Sequence, residues 1–212
     1  MKLDITKDDV VFSQRDNEKR PSGACGATSA VNALNISEIP YDFKTEGQPE
    51  DALMAFLDLK EGGWKKLKEV DPGATYNPWN TSAVISWAVN KMVGKNVVRV
   101  EKWTLQEMIF HLAKEQAAIV IGAGWTKSSH FVAIGGFETD QENILDIKKV
   151  ADIDLKKLKS IRMIDSWGNY KTGYKDFDKT KGSIYNLDIA TFKKVVFVDT
   201  KKTCQSYFKN LA

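Results

Sequence analysis

Hydrophobic and polar positions change period along this chain. In its first half apolar residues recur mostly at three- and four-residue spacing, as on helices with a buried face, whereas short β-branched and aromatic runs bounded by turn residues dominate the second. Helices are expected from Cys25 to about Asn35, from Pro49 to Leu59 with Pro49 in the first turn, from Thr81 to Met92 with Asn80 or Thr81 as N-cap, and from Leu105 to Lys114. Strands are expected over Asn96–Glu101, Ala117–Ile121, His130–Phe137, Ser160–Ile164, Ser183–Leu187 and Val195–Val198. Between them, Asp71–Asn80 is rich in turn formers and carries Tyr76 and Trp79, while Ile144–Lys159, dominated by Lys, Asp and Leu, reads as a partly helical surface insertion or a solvated hairpin. Helices first and strands afterwards predict an α+β, two-layer fold in a single domain spanning 1–212, with an N-terminal helix packed on an antiparallel sheet.

The start of that first helix carries the most reactive chemistry. Gly23-Ala24-Cys25-Gly26-Ala27-Thr28 places a thiol where a small-residue helix begins. The first N–H groups of a helix lack internal partners and carry the positive end of its dipole, so they favour a thiolate, the form in which cysteine attacks. A thiolate needs a proton partner, and the chain has two histidines. His130 opens the apolar run His130-Phe131-Val132-Ala133-Ile134 and would be aimed by a rigid strand, whereas His111, between Phe110 and Leu112, reads as a surface or half-buried helix residue. Asp165, at the end of the strand-like Ile161–Ile164 and the start of the turn-rich Ser166-Trp167-Gly168-Asn169, is the candidate to orient the imidazole.

The order Cys25, His130, Asp165, with Asp165 followed by Ser166-Trp167-Gly168, resembles the papain-like cysteine peptidases. Papain's own cysteine signature is absent, and the chain is more similar to the C39-like peptidases, in particular the domains of bacteriophage lysins. Three blocks carry this resemblance: Gln14-Arg15-Asp16-Asn17 leading to Cys25-Gly26-Ala27-Thr28-Ser29; Ser129-His130-Phe131-Val132-Ala133-Ile134-Gly135-Gly136; and Asp165-Ser166-Trp167-Gly168-Asn169-Tyr170-Lys171-Thr172-Gly173-Tyr174. The resemblance implies a papain-like fold and hydrolysis of amide bonds, with peptidoglycan peptides as substrate. It further implies that Gln14, with Asn17 as the alternative, helps the Cys25 N–H to hold the oxyanion, and that Trp167 shields the base–orienter hydrogen bond. Trp125 and Trp79 are candidates to flank the cleft, each balanced by a plain core role.

Taken singly, Cys25 reads as a small buried hydrophobe, His130 as a structural strand residue and Asp165 as a turn former; their joint order favours catalysis. Two cysteines supply neither a disulfide framework nor a CxxC pair, Cys204 lies in a polar tail, and the two histidines lack metal-ligand spacing, so no metal and no cofactor are expected. A net charge of +3 makes no case for nucleic acid, although it suits an anionic cell wall. No signal peptide and no membrane span are read at the sequence level, so synthesis in the cytoplasm, release to the wall and a monomer acting on a peptide or peptidoglycan substrate are expected. An intracellular protease acting on a protein, and a non-enzymatic binding module of the same fold, are the alternatives.

Overall fold

The computed structural model describes residues 1–6, 11–43, 47–123, 129–175, 178–197 and 203–209. Its helices are α1 (Cys25–Ile36), α2 (Pro49–Asp58), α3 (Lys65–Val70), α4 (Ser82–Val93), α5 (Leu105–Glu115) and α6 (Ile189–Val196). The strands are β1 (Lys2–Asp4), β2 (Val98–Trp103), β3 (Ile119–Ala123), β4 (His130–Thr139), β5 (Leu158–Asp165), β6 (Ser183–Asp188) and β7 (Thr203–Phe208). They form one antiparallel sheet in the order β2-β7-β3-β4-β5-β6, with β1 beside the distal half of β4. This is an α+β fold. Among the described residues, no helix is long and apolar enough to cross a membrane.

Local chemistry explains several boundaries. Pro49 occupies the first turn of α2, where its missing N–H costs nothing. Thr104 and Glu107 close a reciprocal capping box at the start of α5. Helix α4 stops at Gly94, whose φ of 76° is the left-handed conformation that glycine adopts without a Cβ clash.

The two-residue alternation of the strands sorts their side chains onto two faces. Val120, Ala133, Ile164 and Phe208 join the core formed with α1, α2 and α4. Their sequence neighbours Ile119, Ile121, Val132, Ile134, Met163 and Tyr207 join a second core with α5 and α6. A second helical layer therefore covers the far face of the expected helix-on-sheet arrangement. Helix α1 lies so deep that of its residues only Asn35 escapes burial. Its small side chains permit that approach, and two of its polar ones are bonded to neighbouring backbone: Ser29 Oγ donates to Phe131 O at 2.9 Å, and Asn32 exchanges two hydrogen bonds with the main chain of Phe12.

The structure corrects three expectations. The strand expected over Val195–Val198 is not seen at Val195–Phe197, Val198 lying outside the described residues; Val195 and Val196 close α6, whose apolar residues Phe192 and Val196 are one turn apart and face the second core. The strand lies instead in the tail judged polar, where β7 runs between β2 and β3. Two of its polar side chains find partners inside: Ser86 Oγ donates to Ser206 Oγ at 2.9 Å, and Gln205 Nε2 donates to Trp103 O at 3.3 Å. Finally, Ile144–Lys159 is no solvated hairpin. Ile144, Ile153 and Leu158 are buried, and Lys114 and Gln106 of α5 hold the segment by its carbonyls at Leu145 and Ile153.

Candidate active site

Sheet order places the site. β4 and β5 are antiparallel neighbours, with Ala133 opposite Ile164, so the first residue of β4 and the last of β5 share one end of the sheet. Those residues are His130 and Asp165. Helix α1 packs on β4 and presents its own first residue, Cys25, at the same end.

His130 is 4% exposed and Asp165 fully buried, and the imidazole Nε2 lies 2.7 Å from Asp165 Oδ1. Nε2 is therefore the nitrogen that donates to the carboxylate, and the Cys25 thiol is the ring's second side-chain hydrogen-bond partner. Burial alone would push the imidazole pKa down. The hydrogen bonds to Asp165 and Cys25, with the charge of the carboxylate, overcome that and raise it to about 9, so His130 is an imidazolium at neutral pH.

Asp165 is held by more than the histidine. Oδ1 also accepts the Trp167 backbone N–H at 2.9 Å, and Oδ2 accepts the Tyr185 hydroxyl at 3.0 Å and the Tyr174 hydroxyl at 3.3 Å. Four donors satisfy a carboxylate that burial would otherwise penalise. Desolvation, reinforced by the negative charge of Asp165, raises both tyrosine pKa values, so both remain donors. The two tyrosines were missed in the sequence. Tyr174 ends the third resemblance block, but Tyr185 carries no local signal and is identified only by the pairing of β6 with β5, which sets it opposite Met163.

Gln14 is buried with both ends of its amide engaged: Oε1 accepts Ser166 Oγ at 2.8 Å, and Nε2 donates to Pro21 O at 2.8 Å. It ties the residue after Asp165 to the loop before Cys25 and retains one N–H. Asn17, the alternative oxyanion donor, is diverted elsewhere. Its Nδ2 donates to Asp51 Oδ1 and its Oδ1 accepts Arg20 N, which anchors the loop on α2. The N-cap of helix α1 is Ala24, whose methyl group leaves the first N–H groups of the helix without a capping side chain of its own. Gly26 is required there, because a Cβ would lie 2.6 Å from Ile85 Cδ1 and 2.8 Å from Trp79 O.

The thiol opens into a cleft of about 540 Å³ lined by Cys25, Tyr76, Asn80, Thr81, Ser82, Ser129, His130 and Phe131. Tyr76 is 41% exposed and anchored by a hydrogen bond to Asp71. Of its two expected roles, Trp79 takes that of support rather than cleft wall. It is buried edge-on to Trp64, beneath the Arg20 guanidinium at 4.6 Å. Trp167 is half-buried, with Arg15 stacked 3.9 Å from its ring centre and bonded to its carbonyl at 2.7 Å. Trp125 lies outside the described residues. His111 sits in another region, stacked on Trp103. Among the described residues, no three His, Cys, Asp or Glu side chains converge as a metal centre.

Comparison of the chain with protein-family models, curated proteins and solved structures gave no match in any of the three.

Proposed function

We propose that this protein is a papain-like cysteine peptidase of the C39-like type, with Cys25 as nucleophile, His130 as general acid and base and Asp165 as orienter. The observation that carries this reading is one imidazole hydrogen-bonded both to a thiol at a helix start and to a fully buried carboxylate. The Cys25 thiolate attacks an amide carbonyl while the imidazolium stands beside it. The oxyanion is held by the Cys25 backbone N–H and by the free N–H of Gln14. His130 then protonates the leaving amine, and water, deprotonated by the neutral imidazole, hydrolyses the thioester and regenerates the thiol.

The substrate proposed is a peptide of peptidoglycan, with the protein acting at the cell wall in the manner of phage lysins. The cleft wall of Tyr76, Asn80, Thr81 and Ser82 is polar and uncharged, which suits main-chain amides. The test is digestion of isolated peptidoglycan by the wild type and by Cys25→Ala, with released fragments identified by mass spectrometry. New amino termini with the wild type, reduced at least 1,000-fold in the variant, are expected from loss of the nucleophile. Equal release by a folded Cys25→Ala protein would refute the assignment.

A further inference from the structure

A second concavity, of about 650 Å³, lies between α4 and β2 and contains none of the proposed reacting groups. Ala83, Ser86, Trp87, Asn90 and Lys91 form one stripe along α4, and Val98 to Val100 form the facing wall. Three exposed cations, Lys91, Lys95 and Arg99, line it, and among the described residues no acidic side chain does. Arg99 is partnered by Glu101 at 2.9 Å, whereas the ammonium groups of Lys91 and Lys95 make no ion pair or hydrogen bond among the described residues. The groove is thus a concave basic surface on a chain whose net charge is only +3.

We propose that this groove binds a linear polyanion with repeated phosphodiesters, of the polyol phosphate type. Charge complementarity selects an anion, and unpaired ammonium groups are point-charge partners for phosphate. Two other occupants are disfavoured by geometry. Single-stranded nucleic acid needs aromatic faces on which bases stack, yet Trp87 is stacked on Phe56 with ring centres 5.6 Å apart and has the Lys66 ammonium 5.9 Å from its ring centre. A peptide adding as a strand would have to pair along the β2 edge, where the Asn90 amide already takes both N–H and C=O of Val98, at 2.9 and 2.7 Å, and so blocks the end of that edge beside Lys95.

Helix α4 links the groove to the thiol cleft. Ser82, its first residue, lines the cleft, and Ala83 begins the groove. Twelve helical residues at ~1.5 Å each carry the track about 18 Å to its basic end. A polyanion seated there would hold the protein on its matrix beside the bond to be cut.

The test is titration of wild-type protein with synthetic poly(glycerol phosphate) at several salt concentrations. The polymer has no amide, so binding is read independently of cleavage and either reading can fail alone. The double variant Lys91→Glu/Lys95→Glu is expected to bind at least tenfold more weakly at low salt, with the log–log salt dependence shallower by about two contacts, while Lys91→Arg/Lys95→Arg retains binding. Unchanged affinity on charge reversal, or tighter binding of single-stranded DNA of equal charge, would overturn the proposal.

Discussion

His130 is subject to opposed forces, and their balance predicts its pH behaviour. Burial favours the neutral ring, but Asp165 on one side and Cys25 on the other favour the charged one and prevail. Protonation is therefore complete below the ordinary histidine range and is lost as pH rises through about 9. Cleavage should fall on the alkaline side with that apparent pKa, and Asp165→Asn should move the limb to lower pH; a rate profile still flat beyond pH ~10 would contradict this. Glu50 presents the opposite case. It is fully buried at the start of α2, among the described residues no other side chain hydrogen-bonds its carboxylate, and burial raises its pKa to about 8. Its folded-state pKa is raised, so the protonated acid contributes stability that is full below the ordinary carboxylate range and is lost as pH rises through about 8. Glu50→Gln should flatten that loss and add about 1–3 kcal/mol at mildly alkaline pH, read by thermal unfolding at several pH values.

Legibility differs from element to element. Cys25, His130 and Asp165 were readable because each stands at a boundary that local chemistry marks: a glycine-framed helix start, the first residue of an apolar strand, the last before a turn. The helices from Cys25, Pro49, Thr81 and Leu105 are observed within about two residues of expectation, because proline, caps and periodicity act locally. Strand β7 was not readable. Its inward residues include Gln205 and Ser206, whose partners Trp103 and Ser86 lie over a hundred residues away, so no local pattern marks it as core. For the same reason Tyr185, and the diversion of Asn17 to Asp51, required the tertiary structure. Because β7 pairs with β2 on one side and β3 on the other, it is expected to be indispensable. A chain ending before Thr203 would leave β2 detached and both cores open, and should lose cooperative unfolding by circular dichroism; a native-like transition would show that the sheet closes without it.

At the scale of the molecule, one antiparallel sheet separates two cores, and the proposed chemistry sits at the end where α1, β4 and β5 meet. Rigid elements supply each reacting side chain, while loops and α4 supply the cleft wall. The account depends on coupling between Cys25 and His130, which alkylation with iodoacetamide measures without any assumption about substrate. Mapped by mass spectrometry, wild-type protein should be labelled at Cys25, at a rate at least ~100-fold above that in His130→Ala with its fold intact. Equal rates in the two proteins, or a Cys25 that stays unlabelled in the wild type, would contradict the proposed nucleophile.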